Sequence, residues 1–353
     1  MGHPDAKTET IVTLRRGGGL RDTQQRPLRD LRISVMDRCN FRCPYCMPKE
    51  KYGDRYNFLR PAERLSFEET VRLARRFAQL GVHKIRLTGG EPLLRANLPD
   101  LIAELSAVPG IDDIALTTNG VLLAQHADAL KAAGLTRITV SLDSLDAAIF
   151  ATMSGGFGRV EDVLQGIDRA RHAGFAPIKI NAVIQRGLND HTALDLFERF
   201  RGPDVIVRYI EYMDVGNRNH WDQARVVPSK ELMARIAARW PLVPLEPNYR
   251  GEVAQRYACT DGGGEVGFIS SVTQPFCGDC SRGRLSSDGR FYTCLFATQG
   301  TNLRDALRGG ATDDELTAII RAAWRGRSDR YSEQRAEHHE STLPKVEMYY
   351  IGG

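Results

Sequence analysis

Six short apolar runs rich in β-branched residues, each followed by a polar or glycine-rich stretch and then a segment of helical period, constrain most strongly what this chain can fold into. They are Leu31 to Val35, Lys84 to Thr88, Ile114 to Thr118, Ile138 to Leu142, Ile178 to Val183 and Val205 to Ile210. Such alternation predicts repeated βα units around a parallel sheet. Six units fall short of the eight of a closed barrel, so the expected fold is α/β, a partial (β/α)6 TIM-like barrel with its chemistry at the carboxyl ends of the strands. Ser66 with Glu69 three residues on forms a capping box that opens a helix running to Gln79, and Gly81 ends it. From Asp214 the pattern breaks: Pro228, Pro241, Pro244 and Pro247 punctuate short segments, and a turn at Gly262, Gly263 and Gly264 precedes Val266 to Ile269.

The expected division is a mobile leader over 1–27, a barrel over 28–213 and a carboxyl-terminal region over 214–353. The leader holds charges and the run Gly17, Gly18, Gly19, but no apolar core like that of a secretory signal, which points to the cytoplasm. With 353 residues, 42% of them hydrophobic, the chain can bury a core, which excludes disorder as the main state. No apolar run approaches the roughly 20 residues of a spanning helix, so no membrane is expected. Lys plus Arg number 48 against 44 acidic residues, and the resulting +4 is too small to argue for a nucleic-acid partner. A locally basic pocket for an anion stays open.

Seven cysteines fall into two groups, at 39, 43 and 46 and at 259, 277, 280 and 294. Tight groups in a long chain without a signal peptide point to metal or cluster ligation rather than disulfides. Cys39, Cys43 and Cys46 follow the first strand, where three thiolates on one loop can hold three corners of a 4Fe-4S cluster and leave one iron open to a small molecule. Structural zinc is the bland alternative, but it wants four ligands and the loop offers three with no nearby His. Cys277 and Cys280, then thirteen residues, then Cys294 make a second set of three. Cys259 is a candidate fourth ligand, which would complete a structural zinc site. Arg282 and Arg284 argue the other way, because two guanidiniums beside the metal suit a polyanion or a planar base.

The CxxxCxxC loop with Tyr45 before its third cysteine resembles the signature of the radical S-adenosylmethionine superfamily, and Gly89-Gly90-Glu91-Pro92 resembles that superfamily's GGEP motif. The resemblance implies that S-adenosylmethionine chelates the open iron and is cleaved to a 5′-deoxyadenosyl radical. It places Tyr45, Gly90, Glu91, Ser141 and Met213 around that cofactor, the glycines letting the backbone approach the methionine. Each of Ser141 and Met213 is otherwise read as packing.

From Leu31 to Gly353 the chain resembles one family, the GTP 3′,8-cyclases that open molybdenum cofactor biosynthesis. Phe276, Cys277, Cys280, Arg282, Arg284 and Leu285 match its FC..C.R.RL run, with Ser281 where an Asn is usual. The resemblance implies a lyase with a second 4Fe-4S cluster, on Cys277, Cys280 and Cys294, that binds guanine. It also implies a radical that takes hydrogen from C3′ of GTP, and a sugar radical that attacks C8 to give 3′,8-cyclo-7,8-dihydro-GTP. Arg32, Lys84, Arg86, Lys179 and Arg208 lie on predicted strands, where charges need a partner or a ligand. With Thr117, Arg282 and Arg284 they are the implied GTP contacts, although period-two alternation would turn about two of the five strand cations outward. Gly352 and Gly353 are implied elements of the site. The Gly-Gly end of ubiquitin-like sulfur carriers has no counterpart here, since those are small β-grasp domains.

His338, His339 and Glu340 read as a solvated segment, and Phe150, Phe157 and Phe175 as core. Two rival readings remain: another radical S-adenosylmethionine enzyme with an auxiliary cluster, and a non-enzymatic zinc or iron-sulfur nucleotide-binding protein. An electron donor is required, and neither its identity nor the oligomeric state, a homodimer included, is legible.

Overall fold

The computed structural model describes residues 19–335 and 344–352. Gly353, the first 18 residues of the expected leader, and His338, His339 and Glu340 lie outside the described residues.

Six parallel strands run in sequence order: β1 (Asp30–Ser34), β2 (Lys84–Thr88), β3 (Asp113–Thr118), β4 (Arg137–Ser141), β5 (Ile178–Ile184) and β6 (Gly202–Glu211). Between them come α1 (Phe67–Gln79), α2 (Leu98–Ser106), α3 (Leu123–Ala132), α4 (Ala147–Ser154), α5 (Val160–His172) and α6 (Ala193–Phe200). The α1 capping box forms as expected, and Gly81, at φ +109, takes the left-handed turn beyond it. Leu31, Ile33, Ile85, Leu87, Ile114, Leu116, Ile138 and Val140 are all buried in the main core. Each such side chain stabilises the sheet by about 1.5–3 kcal/mol.

The remaining strands extend the sheet at both edges. After α7 (Ser229–Arg239) come β7 (Leu242–Leu245), β8 (Gln255–Cys259) and β9 (Gly264–Ile269), of which β9 lies parallel to β6. Then β10 (Arg282–Leu285) lies parallel to β1, followed by β11 (Arg290–Tyr292), β12 (Thr301–Asn302), α8 (Arg304–Arg308), α9 (Asp313–Arg325) and α10 (Met348–Ile351). The order is β12-β11-β10-β1-β2-β3-β4-β5-β6-β9-β8-β7. The expected boundary at 213 therefore separates stretches of sequence but does not divide the sheet. Residues 270–281, between β9 and β10, carry the chain from one edge of the six-stranded core to the other.

The mobile leader is corrected over its described part. Leu20 pairs through its backbone with Leu80 and Leu28. Asp22 and Arg26 form a buried ion pair at 2.5 Å, and Arg327 joins from the far end of the chain at 3.4 Å. Of the charges that suggested a solvated tail, Asp22 and Arg26 satisfy each other in the interior. Phe157 is also corrected: it is 45% exposed, whereas Phe150 and Phe175 are core.

Removing one partner of a buried ion pair leaves uncompensated charge, so Asp22→Ala should lower unfolding free energy by about 3–5 kcal/mol. Urea unfolding followed by circular dichroism measures it, and an unchanged midpoint would show that the two arginines find other partners.

Candidate functional site

The first cysteine loop leaves the carboxyl end of β1 and is held by the end of β2. The Gly90 N–H donates to the Met36 carbonyl at 2.7 Å and the Glu91 N–H to the Arg38 carbonyl at 2.8 Å. A Cβ on Gly89 would sit 2.3 Å from the Met36 oxygen, and one on Gly90 2.3 Å from that of Arg38. The glycines are thus required by the approach of the protein's own cysteine loop, in addition to the expected approach to the methionine. Glu91 has a structural role of the same kind. Its carboxylate, 1% exposed, accepts from Thr118 Oγ1 at 2.7 Å and from the N–H groups of Asn119 at 2.8 Å and Leu93 at 3.0 Å, and so ties β2 to the end of β3. Burial raises its pKa to about 7 against those bonds.

Cys39, Cys43 and Cys46 are free thiols on this loop, and each is pushed up first by burial, then Cys39 by Glu91 and both Cys43 and Cys46 by Cys39. The Tyr45 hydroxyl donates to Asp143 Oδ2 at 2.7 Å, while Oδ1 accepts from the Val183 N–H at 2.8 Å. Burial raises Asp143 to about 6. Ser141 ends β4 and Met213 follows β6, both partly buried and both at the carboxyl ends of their strands, as the loop is.

The second triad lies at the other end of the same strand. Asp30 is in register with Arg282, and the Ser281 carbonyl accepts from the N–H groups of Arg29 and Asp30. Cys277 and Cys280 therefore sit at the amino end of β1, which corrects the expectation that all chemistry gathers at the carboxyl ends. Five residues at about 3.3 Å each put the triads on the order of 15 Å apart along the strand. Ser281, departing from the family's Asn, is 3% exposed and donates to Asp30 Oδ2 at 3.1 Å, locking β10 onto β1. Arg26 donates to the Cys277 carbonyl at 2.9 Å and Arg327 to that of Cys280 at 2.7 Å, so the buried pair behind the sheet also holds this loop. Burial opposes ionisation of Cys280, yet the guanidiniums of Arg282, 3.2 Å from its sulfur, and Arg327 bring it down to about 6. Cys259 is not the fourth ligand: it is buried in the apolar core on β8, and the charges acting on its thiol are Arg201 and Asp261.

Among the described residues no three His, Cys, Asp or Glu side chains converge as a mononuclear metal ion requires. Two sets of three free thiols, each without a fourth ligand among the described residues, fit 4Fe-4S clusters with one open iron better than zinc.

Between the triads all the predicted cations share one face of the sheet. Arg284, Arg32, Arg86 and Arg137 are linked through neighbouring strands in register, with Lys84 and Arg282 two residues behind Arg86 and Arg284 on the same face. The expectation that about two of five face outward is corrected, since none does. Arg86 on β2 donates to Thr117 at 3.0 Å and Thr139 at 3.2 Å, and Arg208 on β6 reaches the same Thr139 at 3.4 Å. Strands two apart in a flat sheet are about 9.6 Å apart, so convergence on β4 from both sides marks a concave face.

This chamber carries more positive charge than its carboxylates offset. Burial first, then Arg208 and Arg137, lowers Lys179 to about 7, and burial with Arg86 lowers Arg208 to about 9. Buried atoms without a partner, Thr88 Oγ1, Asn181 Oδ1 and Arg208 Nε, lie on the same face. Gly352 is buried inside, its carbonyl accepting from Arg284, and a Cβ on it would meet Thr88 Oγ1 at 2.2 Å. Sequence reasoning missed Arg137, which stands one residue before the predicted fourth strand and in period two with Thr139. Its partner is Asp113, at 2.9 Å.

Residues 33–200 match the family model of the Radical SAM superfamily, and residues 205–333 match Molybdenum Cofactor Synthesis C. The chain is 55% identical to a GTP 3′,8-cyclase of Xanthomonas axonopodis pv. citri, over 95% of this chain and 99% of that one. The enzyme of the same name from Acidothermus cellulolyticus is 52% identical, and that from Staphylococcus haemolyticus 48%, each over 95% of this chain and 99% of the relative. Among solved structures, SuiB of Streptococcus suis bound to the precursor peptide SuiA superposes with a TM-score of 0.59 at 15% identity, covering 86% of this chain and 65% of that one. The SuiB complex with S-adenosylmethionine gives 0.57 at 16%, covering 83% and 68%. These two likenesses bear out the partial-barrel fold.

A bound polyanion favours the charged form of Lys179 and lifts its pKa from about 7 back toward the usual lysine range. Binding therefore takes up a proton above pH 7, and affinity falls as pH rises through that value. Inorganic tripolyphosphate, titrated calorimetrically between pH 6.5 and 8.5, should bind progressively more weakly, with a smaller pH slope in Lys179→Met. Equal slopes in the two proteins would remove Lys179 from the site.

Proposed function

The chain belongs to the GTP 3′,8-cyclase family, and from that premise we propose how its own residues divide the work. The protein is a radical S-adenosylmethionine lyase that converts GTP to 3′,8-cyclo-7,8-dihydro-GTP, the entry step of molybdenum cofactor biosynthesis, using two 4Fe-4S clusters and S-adenosylmethionine. When bound, the first cluster and S-adenosylmethionine supply a 5′-deoxyadenosyl radical that takes the hydrogen from C3′ of the ribose.

Cys39, Cys43 and Cys46 hold that cluster. Tyr45, fixed by Asp143, and Ser141 and Met213 at neighbouring strand ends bound the cofactor's nucleoside side. Gly90 and Glu91 act mainly by bracing the loop against β2 and β3. Cys277, Cys280 and Cys294 hold the second cluster, beside which guanine binds. Arg32, Lys84, Arg86, Lys179, Arg208, Arg282 and Arg284, with Thr117, bind the triphosphate, and Arg137 joins them. The observation that carries this reading is the shared face: eight cations between two cysteine triads, with too few carboxylates to neutralise them. A triphosphate supplies the missing charge through paired, charge-assisted hydrogen bonds. Gly352 completes the chamber beside Arg284 and Thr88, and Gly353, outside the described residues, is carried as a site element on the family resemblance alone. Among the described residues no helix is long and apolar enough to cross a membrane, and we place the enzyme in the cytoplasm, served by a separate electron donor, with no nucleic-acid partner.

The test is an anaerobic reaction of cluster-reconstituted protein with dithionite, S-adenosylmethionine and GTP, read by mass spectrometry. Cys43→Ala should abolish 5′-deoxyadenosine, and Cys280→Ser should keep S-adenosylmethionine binding while losing cyclised nucleotide. Cofactor cleavage without GTP consumption would point to another substrate, and cyclisation by Cys280→Ser would make the second triad structural. Gly352→Ala must displace Thr88 at a backbone φ of +79, and a tenfold or larger loss of cyclisation is expected, with cluster content unchanged.

A further inference from the structure

The turn between β7 and β8 reaches the cation chamber from the solvent side and has no part in the division of work above. Asn248, through its N–H, donates to Glu252 Oε2 at 2.7 Å, and the Glu252 N–H donates to the Tyr249 carbonyl at 3.1 Å, so the turn is closed on itself. One side of it is seated on the second cysteine loop. Arg250 Nε donates to Asp279 Oδ1 at 2.9 Å, and Gly251, at φ +91, passes so close that a Cβ would lie 2.6 Å from the Asp279 carbonyl. The other side meets the chamber. Lys84 Nζ donates to the Tyr249 hydroxyl at 3.1 Å, and the ammonium lies 4.8 Å from the centre of the ring. Lys84 is 8% exposed while Tyr249 is 41% exposed, so the ring stands between a buried cation and water. The Glu252 carboxylate acts electrostatically on Lys179 and Arg208.

We propose that Tyr249 is a further GTP-contacting residue and that the turn from Asn248 to Glu252 caps the amino-end mouth of the chamber. Without nucleotide, the Tyr249 hydroxyl and the Glu252 carboxylate stand where phosphate oxygens stand when GTP is bound. Lys84 has three donor hydrogens, one taken by Tyr249 and one directed at Asp30, 3.4 Å away. A phosphate oxygen is a stronger acceptor for that ammonium than a neutral phenol. The triphosphate therefore displaces the hydroxyl, which turns to donate its hydrogen bond to phosphate. Closed over the substrate, the ring keeps water and competing hydrogen donors out of a site that handles radicals. The inference rests on the reading of the chamber as the GTP site.

Three measurements on anaerobically reconstituted enzyme test it, with S-adenosylmethionine affinity as the control for folding. GTP titration should show Tyr249→Phe binding about fivefold more weakly, the loss of one hydrogen bond. Tyr249→Ala should bind tenfold or more weakly and release more 5′-deoxyadenosine per GTP cyclised. GTP should slow tryptic cleavage of the wild-type chain after Arg250. If wild-type protein binds GTP and both variants match it in affinity and coupling, with cleavage after Arg250 unaffected, the cap is structural and the inference alone fails. If the wild-type protein does not bind GTP, the reading of the chamber fails and takes the inference with it.

Discussion

The ladder between β1 and β10 is the interaction on which the rest depends. Strand β1 carries one cysteine triad past its carboxyl end, and β10, in register with it from Asp30 to Ile33, begins just after Cys280 of the other. The spacing between the triads is then set by backbone hydrogen bonds, which do not stretch, rather than by flexible side chains. Ser281 reinforces the ladder at its first rung through Asp30, and Arg26 and Arg327 clamp the carbonyls of Cys277 and Cys280 from behind. A reaction that must bring a ribose carbon and a guanine carbon into defined positions at one substrate depends on that fixed length.

Charge is the second constraint, and it opposes the first. Like-charged guanidiniums on adjacent strands repel, and burial depresses Arg32, Arg86, Lys179, Arg208 and Arg284 together. Asp30 and Asp113 relieve part of the strain, and the hydroxyls of Thr117 and Thr139 fan Arg86 toward the centre. The chamber is held ready for an anion at a cost in stability that the packed outer face of the sheet bears. Such preorganisation means that little rearrangement is needed when substrate arrives.

Local pattern was enough to read β2 at its observed ends and the other five core strands to within a few residues, because period and β-branched composition are local properties. The cysteine spacings gave both triads for the same reason. What stayed illegible was pairing between distant segments. Nothing in Gly264–Ile269 or Arg282–Leu285 says that one joins β6 and the other β1. The leader was misread because charges usually mean solvent, and its partner Arg327 lies some three hundred residues away. Tyr249 escaped notice because a proline-rich stretch carries no period. The five strand cations were assigned to two faces on alternation alone, although Lys84 and Arg86, two residues apart, had to share one.

The stretch from β9 to β10 sends its two strands to opposite edges of the six-stranded core, with the connection over residues 270–281 spanning the gap. This order has a consequence during synthesis. Strands β1 to β6 can assemble as they leave the ribosome, but β6 presents unpaired amides and carbonyls until the chain reaches Ile269, and β1 until it reaches Leu285. At ordinary elongation rates that interval lasts on the order of five to fifteen seconds. A half-made sheet with two open edges invites pairing with other chains, so the window is one in which chaperones have a substrate. The same late segment that brings the second set of thiols also seals the vessel, so neither exists before the other.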